Sequence, residues 1–270
     1  MSSYKSVDRD LLRASCSLAG RGIATGFLVA LLVIFASAEI ASAEIIADLQ
    51  PVSGAPGNYA DTVSYSIADI DTAGGILIGD KLFDSFTVAS ASSPDALAPL
   101  ASGIEITAVE VNGSYGFKVN SLWIAAGGEW VDSTIQYHVG VTPQAAAQGL
   151  AIDGNALYTT GVGSAGGIVS IAESLYAQYP GSGASSVADE FNYYVSTTNK
   201  QTQDSANFAP LTSLWVVKDI GVSGGSGSGV AHLSEFYQTF QQTPEPSTLV
   251  LCGVGLFGLA AFAWRKRRAA

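Results

Sequence analysis

The stretch GIEITAVEVNGSYGFKVNSLWI, residues 103–124, decides the fold. Asn112-Gly113 is its pivot, because a two-residue type I′ turn needs positive φ at both positions, which Asn and Gly tolerate best. Folding the two alternating runs about that pivot sets Ala108 opposite Phe117 and Ile106 opposite Val119 on one face. Thr107 then meets Lys118, and Glu105 meets Asn120, on the other. One face is apolar and the other polar, the pattern of an antiparallel pair lying over a core.

Runs of the same kind recur on both sides of this hairpin, punctuated by Gly, Ser, Pro and Asn. They are DTVSYSIAD (61–69), DKLFDSFTVAS (80–90), STIQYHVGV (133–141), ADEFNYYVST (188–197), LTSLWVVKDIGV (211–222) and VAHLSEFYQTF (230–240). GIVSIAESLYAQY (167–179) keeps helical spacing over part of its length, but its β-branched start between glycines favours a strand. SGGSGSG (223–229) is too short to divide domains and reads as a flexible hairpin loop. About ten strands are expected, and they point to an all-β antiparallel β-sandwich.

The two ends are of another kind. Lys5, Arg9, Arg13 and Arg21 precede the apolar run GFLVALLVIFASA (26–38), and a small-x-small pattern follows at Ala41 and Ala43. This reads as a signal peptide over residues 1–43 cleaved after Ala43, with Ala38 as the alternative site. At the other end, residues 248–264 carry no charge and would form a helix of roughly 25 Å, enough for a thin bilayer. Arg265, Lys266, Arg267 and Arg268 follow at once and would stop transfer on the cytoplasmic side. Pro244 and Pro246 keep that helix from extending upward, leaving an extended TPEPS at the membrane surface.

Between these ends, residues 44–243 hold four bases against nineteen acids, a net charge of −15. Nucleic acid is excluded as a partner, since a phosphate backbone needs Lys and Arg to displace its counterions. Cys16 and Cys252 both lie outside this body, so no disulfide staples it.

The order Pro244-Glu245-Pro246, a short glycine-bearing apolar span and an Arg-rich end resembles the PEP-CTERM sorting signal of Gram-negative bacteria over residues 244–268. An ordinary single-pass anchor with a proline stop is the plainer alternative. The resemblance implies a tail read and removed by a membrane protease, exosortase, which delivers the protein to the cell surface or an exopolysaccharide matrix. The body also resembles a domain common upstream of such tails, through Gly79 to Phe83, Phe86, Lys218 to Ile220 and Leu233 to Phe240. That second resemblance implies no activity.

Chemical motifs are sparse. GVGSAG (161–166) satisfies G-x-G-x-x-G, but a dinucleotide site needs a βαβ unit around it, and a glycine loop between strands is the simpler reading. GVSGG (221–225) surrounds Ser223 as G-x-S-x-G does, yet a glycine-serine loop follows where a helix is required, and His232 arrives with no acid before it. His138 alternates with Tyr137 and Val139 and so belongs with Thr134 and Gln136 on a polar face. Asp69, Asp71 and Asp80 in DIDTAGGILIGD fall at positions 1, 3 and 12 of a calcium loop, although position 5 is Ala73 and a solvated turn is the alternative. No other cofactor is expected. Trp123 and Trp215 lie in apolar strands and are expected in the core, whereas Trp130, between Glu129 and Asp132, is the candidate for a sugar contact. The function expected is that of a non-enzymatic surface or matrix protein. A carbohydrate-binding module is the alternative and a glycoside hydrolase the third reading, since any two of nineteen acids could converge.

Overall fold

The computed structural model describes residues 44–243 and 254–257. The expected signal peptide with Ala41 and Ala43, the Pro244-Glu245-Pro246 motif and the basic residues 265–268 lie outside the described residues. Of the expected span 248–264, only the helical, exposed residues 254–257 are described. Among the described residues no helix is long and apolar enough to cross a membrane.

Short strands β1 (Ile45–Ile46), β2 (Leu49–Pro51), β3 (Asn58–Asp61) and β4 (Tyr65–Ser66) lead into helix α1 (Ile67–Ala73). Next come β5 (Ile76–Ile78), β6 (Lys81–Ser92), β7 (Glu105–Val111), β8 (Ser114–Ala126) and β9 (Trp130–Val141). Helix α2 (Pro143–Ala147) precedes β10 (Ile152–Thr159), β11 (Val162–Ser164), β12 (Ile168–Tyr176) and β13 (Ala188–Tyr194). The body closes with β14 (Lys200–Gln201), β15 (Gln203–Leu211), β16 (Ser213–Ser223) and β17 (Val230–Gln242). One sheet runs β1-β5-β6-β9-β16-β12-β13-β14; the other runs β15-β10-β17-β8-β7-β3-β2, with β11 on β17 and β4 on β7. Among the described residues only the β1–β5 pair is parallel. The protein is thus mostly β, two large sheets facing each other across a shared core, a β-sandwich-like arrangement.

The deciding hairpin folds as its sequence dictates. Asn112 and Gly113 take φ of 52° and 83°, and Ala108 pairs with Phe117, Ile106 with Val119, Thr107 with Lys118 and Glu105 with Asn120. Residues 168–176 form β12, as their β-branched start indicates. The strand expected over residues 61–69 is, by contrast, mostly helix: only Tyr65–Ser66 is extended, and α1 begins at Ile67. Ser66 caps it by accepting the Asp69 amide, Gly74 ends it in the left-handed region, and Ile67 and Ile70 are buried one turn apart.

Strand β6 carries a bulge. Asp84 pairs with His138 and Thr87 with Gln136, so Ser85 and Phe86 share the space opposite Tyr137, and Ser85 takes a φ of 55°. The extra residue explains how Phe83 and Phe86, three positions apart in a strand, both point inward. Phe86 stacks on Tyr137 at 5.2 Å between centroids, and Phe83 meets Phe117 of the opposite sheet edge-on at 5.2 Å. Trp123 is fully buried, its indole donating to Ser133 Oγ at 3.0 Å.

The core is not wholly apolar. Lys218 of β16 and Glu173 of β12 form an ion pair inside it, with both side chains shielded from solvent. Gln238 of β17 accepts from Lys218 and donates to Glu173 at 2.9 Å, while Asn155 of β10 donates to the same carboxylate. The four side chains therefore stitch one sheet to the other. Burial pulls the Lys218 ammonium well below its ordinary pKa.

Candidate functional site

The outer face of the eight-stranded sheet holds the chemistry. On β9 the residues Trp130, Asp132, Thr134, Gln136 and His138 all point outward while Val131, Ser133, Ile135, Tyr137 and Val139 point in, which confirms the polar-face placement of His138. Pairing then sets His138 between Asp84 on β6 and Trp215 on β16.

Trp215 departs from expectation. It is only partly buried and lies outside the core, its ring 5.2 Å from His138 and 4.9 Å from the Tyr179 ring, which it meets edge-on. The physical reason is its neighbour. Leu214, Val216, Lys218 and Ile220 share the inward parity, so the buried Lys218 places Trp215, Val217 and Asp219 outward.

Asp84 Oδ1 stands 3.2 Å from His138 Nδ1. Burial works to raise the Asp84 carboxyl, but hydrogen bonds from His138 and Ser85 outweigh it and hold the pKa below its ordinary value. The pair borders a groove of about 420 Å3 lined by Leu77, Leu82, Gly140 and Ser213 from the sheet and by Pro143 and Ala146 from α2. Thr142 caps α2 by accepting the Ala145 amide at 3.3 Å, and Pro143 starts its first turn. This fixes the groove wall. Ser213 shares the groove with His138.

Trp130 stands at the far end of the same strand, eight residues from His138, or roughly 27 Å at strand rise. It is 45 % exposed, over a depression of about 250 Å3 shared with Asp132, Ile168, Ser170, Gly221 and Ser223.

The remaining candidates take other places. Asp69 lies in the first turn of α1, where it accepts from Ser66 Oγ at 2.7 Å, and Asp71 lies in the same helix. Asp80, in the turn between β5 and β6, pairs with Lys81 at 2.8 Å. The segment is therefore a capped helix and a strand turn rather than a continuous ion-binding loop, and among the described residues no group of three or more His, Cys, Asp or Glu is placed to hold a metal. Residues 161–166 form β11 and the turn into β12, with no helix behind them. Ser223 ends β16 in one sheet, and His232 lies on β17 in the other.

Asp84, Trp215 and Tyr179 escaped the sequence. Two inward phenylalanines three apart in a strand were the available sign of a bulge beside Asp84, since bulges re-aim side chains next to sites. Asp84 and His138 lie 54 residues apart, and only sheet pairing brings them together.

The comparisons bear mainly on the tail. The family described as PEP-CTERM protein-sorting motif matches residues 242–268, and the chain carries that motif. The motif marks an exported protein, sorted to the cell surface and processed by exosortase, a membrane protein. No curated protein matches the chain. Among solved structures, TmCBM61 in complex with β-1,4-galactotriose is similar at 11% identity, over 57% of this chain and 88% of that one, with a TM-score of 0.28. The glycoside hydrolase domain of Endo-D from Streptococcus pneumoniae R6 is similar at 13% identity over 56% of this chain, with a TM-score of 0.26. The chain spans only 21% of that protein. Likenesses at such scores establish neither ligand nor activity for this chain.

Proposed function

We propose that this is a non-enzymatic protein of the cell surface or exopolysaccharide matrix, exported through a signal peptide over residues 1–43 and handed over by an exosortase-type protease that reads Pro244-Glu245-Pro246. The carrying observation is the sorting motif over residues 242–268, which begins at the last residue of β17, so that the folded body runs straight into its address. Residues 248–264 serve as the membrane helix and Arg265, Lys266, Arg267 and Arg268 hold its inner end. The test replaces Pro244, Glu245 and Pro246 by alanine in cells that carry an exosortase. The expected result is an unprocessed chain retained in the inner membrane; surface delivery of the variant equal to the parent's would refute the reading.

A second reading, extracellular carbohydrate binding, is favoured by one observation: Trp130 is half exposed over a shallow depression shared with Asp132, Ser170 and Ser223. Flat aromatic rings offer sugars a large apolar area at small entropy cost. Retention of the purified protein on insoluble polysaccharides supports this reading, and passage through every such matrix defeats it.

A further inference from the structure

The groove beside Asp84 and His138 is a built feature rather than an accident of strand packing. A left-handed Ser85 within a β-bulge sets the register that turns Asp84 outward, and such backbone strain persists only where the surroundings enforce it. Asp84 then orients the His138 ring, and His138 in turn packs against Trp215. The sequence of contacts runs across three neighbouring strands and ends in an aromatic surface beside a cavity within the usual ligand range of about 300–1,000 Å3.

We infer that this groove, whose His138 wall packs against Trp215, binds an uncharged segment of polysaccharide. The inference rests on the carbohydrate-binding reading but assigns it to a different place from Trp130. Three observations select the ligand. The groove pairs apolar walls, Leu77, Leu82 and Pro143, with a carboxylate acceptor and an imidazole, matching a molecule that alternates C–H faces with hydroxyl donors. It lies on a sheet face rather than an edge, so a peptide cannot add to it as a strand. Finally, its charged lining is Asp84 and Glu44 with no lysine or arginine, and two of the body's four lysines, Lys81 and Lys218, are buried. Polymers bearing uronates or phosphates are repelled.

The test is affinity electrophoresis of the protein purified from cells expressing the full chain, in gels containing neutral glucans, mannans or galactans and, separately, a polyuronate. At least one neutral polymer should retard the protein and the polyuronate should not. Trp215→Ala and Asp84→Asn should each weaken retardation by at least tenfold, while Trp130→Ala leaves it within twofold. Trp215→Phe, which keeps a ring, should recover most of the binding, and thermal melts of each variant separate a lost site from a lost fold. Folded Trp215→Ala and Asp84→Asn proteins that bind as the parent does would overturn the groove, as would polyuronate binding at least as strong as neutral binding. If Trp130→Ala alone abolishes retardation, the groove fails while carbohydrate binding stands; if no polymer retards the parent, both fail.

Discussion

Lys218 and Glu173 face each other across the β16–β12 ladder with both side chains pointing into the core rather than to solvent. The lysine ammonium also lies 5.4 Å from the centre of the Phe236 ring, so an aromatic face joins the Gln238 amide and the Glu173 carboxylate around it. A charge in such a place is tolerated only while its partners remain.

Removing one member of that pair leaves the other uncompensated. Lys218→Met should lower unfolding free energy by about 3–5 kcal/mol, read from urea denaturation. Lys218→Met combined with Glu173→Leu should recover part of the loss, because the unpaired charge is gone while the buried Gln238 and Asn155 amides lose their partners. A double variant no more stable than the single one would contradict this.

Glu190, on the inward face of β13, is buried, and burial together with repulsion from Asp204 pushes its carboxyl up to about 8 from an ordinary 4.5. The folded state therefore holds a proton that the unfolded state releases at lower pH. Stability conferred at acid pH declines as pH rises from about 4.5 to about 8 and levels off above, a loss of a few kcal/mol from this group. Melts of Glu190→Gln across that window should show a flatter profile and higher stability than the parent at pH 8.

Gly116 of β8 pairs with Thr239 of β17 in the same sheet. A Cβ there would lie 1.9 Å from the Gln238 carbonyl oxygen and 2.7 Å from Thr239 Cα, both backbone atoms that cannot rotate away. Gly116→Ala should cost about 3 kcal/mol or more, or abolish folding, as measured by circular dichroism melts.

Ser85 carries its strain in one backbone angle. Ser85→Val should lose about 1–2 kcal/mol, because a β-branched side chain tolerates the left-handed region poorly. Ser85→Gly relieves the strain but gives up the hydrogen bond to Asp84, so it should stay within about 1 kcal/mol of the parent. Thermal midpoints rank the three; a valine variant as stable as the glycine one would show that the bulge relaxes.

Much of the fold was legible because short-range pairing rules govern it. The Asn112-Gly113 turn fixes a register, and that register sorts every residue from Glu105 to Asn120 onto its face. Helix α1 was misread since DTVSYSIAD alternates loosely, although Ser66 followed by Asp69, with Gly74 beyond, is a helix start and stop. Trp215 was misplaced for a sharper reason: a lysine belongs outside by default, and Lys218 inside inverts the parity of its strand. The Asp84–His138 pair depends on β6 lying beside β9, a long-range fact with no local signature.

Strand β17 is flanked on both sides, by β8 on one and by β10 and β11 on the other, and the chain leaves it at Gln242, two residues before Pro244. Lys81 holds Gln242 at 2.6 Å, and the Thr243 amide donates to the Ala151 carbonyl at 3.0 Å. Tension on the tail thus acts along an interior strand and loads two ladders in shear at once, where a rim strand would unzip bond by bond. A pull applied through the residues after Thr243 therefore meets both ladders together and does not begin to unravel the body at the point of pull.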